Sequence, residues 1–162
     1  MIDSFEGVHG GWIFRAAGRW NRPGRYGCLY TSVSRAGAVA EWQRYVERAG
    51  PGAHRRPRDV VSIAVHVQPV ADLTDPTFRR RFGVALTQLT GDADSDWEAC
   101  RTVADVLRAE RYRALHVPSA ALADAANLIV YFEGVAGDLL LDEGGDRIAL
   151  NYGPDPLASR SS

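Results

Sequence analysis

The sequence predicts an α+β fold in which mixed or antiparallel strands pack with two main helices. Three observations point there. Short apolar runs bounded by Gly and Pro crowd the second half of the chain, two segments carry apolar residues at helical spacing, and the composition is that of an ordinary soluble domain. At 162 residues and 46% hydrophobic, the chain buries about 70% of its unfolded surface on folding, so one core suffices without disulfides or metal. No repeat or linker divides it. The expectation is a single domain over residues 1–153 with a disordered tail at 154–162.

Residues 12–16 read as a short strand, followed by a loop dense in turn formers and by the apolar strand segment 28–30. Ser32 or Ser34 can cap a helix over 35–49, where Ala38, Val39, Trp42, Tyr45, Val46 and Ala49 form the apolar stripe. Gly50-Pro51-Gly52 ends it, and His54-Arg55-Arg56-Pro57-Arg58 makes an exposed basic connection. The β-branched run 60–67 predicts one strand buried on at least one face. Asp72-Leu73-Thr74-Asp75-Pro76 reads as a turn leading to a short helix at 77–82. Asp94-Ser95-Asp96 offers N-caps for the second main helix, 97–109, with Trp97, Cys100, Val103, Ala104 and Leu107 inward. Residues 113–117, 127–132, 138–141 and 147–151 read as strands.

Several chemistries are excluded by residue type. All 19 basic residues are Arg, so Schiff-base, P-loop and lysine-base mechanisms have no residue to carry them. Cys28 and Cys100 stand apart from any partner at ligand spacing and read as buried small hydrophobes, and His9, His54, His66 and His116 are unclustered, so no metal site is expected. A net charge of -1 argues against direct nucleic-acid binding. No apolar run nears the roughly 18 to 20 residues of a membrane span, and the N-terminus lacks a secretory pattern, so a cytoplasmic protein is expected.

The unusual segment is Gly18-Arg19-Trp20-Asn21-x-x-Gly24, an Arg, an aromatic and an amide on one loop. Arg19 offers a bidentate fork for a pyrophosphate. Trp20 either presents a flat face to a base or plugs the core under the loop, and the plug is favoured. Tyr30 follows eleven residues after Arg19, and Glu41 eleven after that. On a helical wheel Glu41 falls about 40° from Tyr45, at the border of the apolar stripe, where a carboxylate is half-buried. The bland alternative is a Glu41–Arg44 surface pair. Ser119, after Pro118, reads on its own as an N-cap or turn serine.

Taken in order, Gly18-Arg19-Trp20-Asn21, Leu29-Tyr30-Thr31-Ser32, Ala38-x-x-Glu41, Val117-Pro118-Ser119-Ala120 and Asn127-Leu128-Ile129-Val130-Tyr131-Phe132 resemble the RES-domain family. The family is named for an Arg, a Glu and a Ser, which here correspond to Arg19, Glu41 and Ser119, with Tyr30 between the first two. The resemblance implies a fold similar to ADP-ribosyltransferases and the toxin of a type II toxin–antitoxin pair. It implies NAD+ as substrate and no bound cofactor, with the nicotinamide–ribose bond cleaved by water or phosphate, or ADP-ribose transferred to a protein; the alternative of another class is a non-catalytic partner-binding domain that retains the fold. The implied partner is an Xre-like helix-turn-helix antitoxin, in a homodimer or a hetero-oligomer with it.

The implied catalytic set is Glu41, Arg19, Tyr30 and Ser119, with Trp20, Asn21 and Asn127 joining Arg19, Tyr30 and Ser119 in substrate binding. Glu41 would stabilise the cationic ribose carbon, Arg19 would clamp the diphosphate or orient Glu41, Tyr30 would pack on nicotinamide, and Ser119 would bond its ribose or amide. The chain departs from the family pattern before the loop. Members usually carry a longer segment with another Arg, whereas Arg15 here lies only four residues ahead of Arg19.

Overall fold

The computed structural model describes residues 17–50, 59–131, 139–141 and 148–149. After the Gly/Pro-rich loop the chain enters strand β1 (Cys28–Ser32) and helix α1 (Arg35–Ala49). Ser34 caps that helix, accepting from the Gly37 amide at 3.0 Å, and Gly50, at φ 80°, ends it in a conformation glycine adopts without strain. Strands β2 (Asp59–Val60), β3 (Ile63–Val65) and β4 (Val70–Asp72) come next. Two short helices, α2 (Pro76–Arg80) and α3 (Leu86–Thr90), lead into the long helix α4 (Asp94–Ala109). Strands β5 (Ala114–Pro118), β6 (Ala126–Tyr131), β7 (Leu139–Leu141) and β8 (Ile148–Ala149) complete the described chain.

The main sheet has the order β1-β6-β5-β4, antiparallel except for the parallel β5–β4 pair. Two antiparallel ladders, β2 with β8 and β3 with β7, stand outside it. Side chains alternate between faces along a strand. Ile129 and Tyr131, Leu115 and Val117, Ala71 and Cys28 therefore share one face, where they meet Leu89 of α3 and Cys100, Val103, Ala104 and Leu107 of α4 in the main core. Ala114 and Val130 point the other way, into a smaller cluster with Val67. Both cysteines are buried.

The two main helices form where the apolar periodicity predicts them, the first over the expected residues, although Tyr45 and Ala49 of its expected stripe are exposed. The second starts earlier, at Asp94, because Asp96 reaches back from the first turn to the Ala93 amide at 3.2 Å. Ala93 is thus the N-cap, and the capping carboxylate sits inside the helix. The expected continuous strand over 60–67 is broken at Val61 and Ser62, both exposed, so that β2 and β3 pair with different late strands. A β-branched run reports a preference for extended backbone, not continuity of pairing. The expected turn at Asp72 is partly β4, an edge strand fixed by register with β5 (Asp72 against His116). Helix α3, five residues long, is too short to show a period. Segment 12–16, the basic connection at His54–Arg58 and the tail 154–162 lie outside the described residues.

This division predicts contrasting mutants. Leu115→Ala, at a fully buried position, should cost about 2–5 kcal/mol, whereas Val61→Ser, 46% exposed, should stay within about 0.5 kcal/mol of the wild type in urea unfolding.

Candidate active site

The loop before β1 is fixed from two sides. On the helix side, Arg22 bonds Asp105 (2.8 Å) and both oxygens of Glu98, Tyr26 donates to Asp105 (2.9 Å), and Arg101 donates to the Gly18 carbonyl (2.9 Å). On the strand side, the Tyr30 hydroxyl accepts from the Trp20 amide (2.9 Å) and donates to Asn21 Oδ1 (2.8 Å). Burial of that hydroxyl pushes its pKa well up, so Tyr30 stays neutral, while the residue as a whole is 45% exposed and lines a cavity. Gly18 is required beneath it, since a Cβ there would collide with the Tyr30 hydroxyl.

That cavity, of about 680 Å³, opens between the loop, β1, α1 and the ends of β5 and β6. Helix α1 contributes Glu41, Arg44, Tyr45, Arg48 and Ala49 to its wall, residues at i, i+3, i+4, i+7 and i+8 on one face. Helix and strand approach closely because Gly37 lacks a side chain, and a Cβ there would strike the Ser32 hydroxyl. Glu41 then reaches the sheet. Its Oε1 accepts from Ser119 Oγ (2.7 Å) at the end of β5 and from Asn127 Nδ2 (2.6 Å) at the start of β6. Among the described residues no hydrogen bond engages Oε2. Ser119, 6% exposed, also accepts from the amides of Ala121 and Leu122, each at 3.1 Å. Its one donor and both lone pairs are therefore committed.

The opposite part of the cavity is cationic. Arg19, Arg44 and Arg48 all line it, and all three bond Asp92 in the connection between α3 and α4, at 3.2, 2.5 and 3.0 Å. Burial works against the ionised form of Asp92, but the Arg44 hydrogen bond and the charges of Arg44, Arg48 and Arg19 outweigh it and hold the carboxyl below the usual aspartate range. Arg19 is further anchored by the carbonyls of Leu89 (3.2 Å) and Gly91 (2.5 Å). The Trp97 ring lies 5.3 to 5.4 Å from the guanidinium carbons of Arg19, Arg48 and Arg101. No cluster of metal-binding side chains occurs among the described residues.

The structure brings Arg19, Trp20, Asn21, Tyr30, Glu41 and Asn127 to one cavity, and holds Ser119 directly behind Glu41. Trp20 is 2% exposed and packs in the main core, as the plug reading has it. Arg44 turns to Asp92 instead of pairing with Glu41. Ser119 is the turn serine of the first reading, accepting two amides, and its hydroxyl donates to Glu41. Tyr45, expected inward, is 57% exposed and stacks on Trp42 with ring centres 5.2 Å apart. Arg44, Arg48 and Trp97 were outside the expected set. The i+3 and i+7 spacing from Glu41 was the signal that could have found the two arginines.

The α+β domain thus carries a cavity with a carboxylate at one end and arginines at the other. Residues 5–148 match the RES domain, and the chain belongs to the RES-domain family. A comparison with curated proteins finds no match. Among solved structures, a chain of the M. tuberculosis MbcT–MbcA toxin–antitoxin complex aligns with a TM-score of 0.71 at 24% identity, over 87% of this chain and 75% of that one. At this identity the likeness is one of fold. No described helix is long and apolar enough to cross a membrane.

Two outcomes follow from the geometry. Gly18→Ala should displace the Tyr30 hydroxyl and lower stability by about 1–3 kcal/mol in thermal unfolding. Asp92, with its folded pKa depressed, adds stability that is present above the unfolded value of about 3.9 and is lost as pH falls through the folded one. Asp92→Asn should therefore flatten the acid limb of a stability–pH profile.

Proposed function

We propose that this RES-domain chain is an NAD+-consuming enzyme that breaks the nicotinamide–ribose bond, with water or phosphate as acceptor, and serves as the cytoplasmic toxin of a type II toxin–antitoxin pair. The observation that carries the reading is the arrangement of one cavity: a carboxylate oriented by Ser119 and Asn127 at one end, arginines at the other, and the face of Tyr30 between loop and sheet. A dinucleotide offers matching parts, with a cationic ring, a ribose that becomes cationic during cleavage, and a diphosphate. NAD+ is substrate in this reading, not a resident cofactor.

In the step itself the bond from the ribose C1′ to the pyridinium nitrogen breaks, and its electron pair neutralises the departing nicotinamide. Water or phosphate then bonds C1′ and a proton leaves to solvent. No general acid is needed. Glu41 Oε2 faces the developing charge, a stabilisation that grows only toward the transition state. Ser119 and Asn127 act through Glu41 as positioning residues, fixing its carboxylate before substrate arrives. The Tyr30 ring packs on nicotinamide, and Arg44 and Arg48, with Arg19 anchored beside them, take the diphosphate as planar forks. Trp20 and Asn21 hold the loop in shape.

An antitoxin as partner is supported by the similar structure, a chain of a toxin–antitoxin complex, and its Xre-like helix-turn-helix type is proposed from the family resemblance. Binding of such a protein, in a hetero-oligomer, is measurable by co-purification.

Phosphorus NMR of purified protein with NAD+ tests the activity. ADP-ribose is the expected product with water, and an ADP-ribose phosphate with added phosphate. Glu41→Gln should slow turnover about 100- to 1,000-fold with little change in KM, since its interaction belongs to the transition state. Ser119→Ala should cost about tenfold in kcat by loosening Glu41. NAD+ left intact by wild-type protein, or turned over equally by Glu41→Gln, overturns the reading.

A further inference from the structure

Asp92 lies in the short connection between α3 and α4, and its two oxygens take all three cavity arginines. Oδ1 accepts from Arg19 and Arg48, and Oδ2 from Arg44. One carboxylate against three guanidinium groups leaves the cluster with a formal surplus of two positive charges. The backbone beneath is held independently. Arg19 binds the carbonyls of Leu89 and Gly91, and Gly91 packs so tightly on the Asp96 carboxylate that a Cβ would collide with it. The Asp92 side chain is 48% exposed, so its ion pairs are weakened by water and salt, and rotating it outward moves no backbone.

We propose that Asp92 is a resident anion of the phosphate subsite, holding Arg44 and Arg48 in place until a diphosphate exchanges with it, so that the site favours dianions over monoanions. The identity of the entering group rests on the dinucleotide reading above. The electrostatic logic is one of replacement. A monoanion that displaces Asp92 exchanges one negative charge for another and gains little, whereas a diphosphate brings two charges and enough oxygens for both planar forks. Asp92 also keeps the guanidinium groups converged, so the entering diphosphate finds them ordered at less entropic cost. Arg19 remains anchored to the two carbonyls throughout. Asp92 is thus a specificity-determining residue that does not touch the reacting atoms.

A purely structural Asp92, one that only fastens α1 to the α3–α4 connection, makes the opposite forecast for binding, and calorimetric titration with inorganic pyrophosphate and with acetate separates the two. Asp92→Asn should bind pyrophosphate about tenfold more tightly than wild type, because a competing charge within hydrogen-bond reach is gone. Acetate should bind the variant measurably and wild type hardly at all. Asp92→Glu should behave as wild type, and Arg44→Gln should cancel the gain when added to Asp92→Asn. A second measurement uses the unaltered chain, the Asp92 carboxyl followed by carbon NMR during an acid titration. Saturating pyrophosphate should return its depressed titration to the ordinary aspartate range. Equal or weaker pyrophosphate binding by Asp92→Asn, or an Asp92 titration unmoved by pyrophosphate, overturns the proposal. Neither readout contains NAD+, so failure of NAD+ cleavage and failure of this exchange are told apart.

Discussion

The two hydrogen bonds received by Glu41 Oε1 tie helix to sheet, and the geometry of the cavity depends on that tie. Ser119 directly follows β5 and Asn127 is the second residue of β6, so one carboxylate oxygen ties α1 to the ends of two neighbouring strands at once. Charge-assisted hydrogen bonds of this kind are among the stronger polar contacts, and they fix direction as well as distance. With α1 set at that angle, the residues one and two turns further on face the same opening. Gly37 makes the approach sterically possible, and Glu41 makes it specific.

Polar side chains do much of the positioning elsewhere as well. The loop from Gly18 to Tyr26 has little regular structure, yet Arg22, Tyr26 and Arg101 fasten it to α4, and Tyr30 fastens it to β1. Asp105 is the focus on the helix side, taking bonds from both Arg22 and Tyr26. The hydroxyls of Tyr26 and Tyr131 are both pushed upward in pKa, chiefly by burial, and so stay neutral donors. The protein thereby presents a loop of turn-forming sequence as a rigid wall, which is what an ordered binding site on a loop requires.

Much of this was legible in the sequence, and the failures share a cause. Local periodicity identified α1 to the residue and the buried face of α4, because both helices are long enough to display a stripe. It placed Tyr45 inward, since an apolar stripe looks the same whether it faces a core or a cavity. It could not see the break at Val61, nor the edge strand at Val70–Asp72, because pairing partners are set by distant strands. The ordered motifs named Arg19, Tyr30, Glu41, Ser119 and Asn127 together. They did not show that Ser119 spends its hydroxyl on Glu41, or that Arg19 spends most of its fork on backbone carbonyls. Spacing reports which residues share a neighbourhood, whereas hydrogen-bond partners depend on three-dimensional closure.

The indole of Trp97 in the cavity wall is held close to three guanidinium groups, two of which also grip Asp92. Cations over an aromatic face perturb its electron distribution. A move of Arg48 away from Asp92 would therefore change the surroundings of an indole already built into the wall.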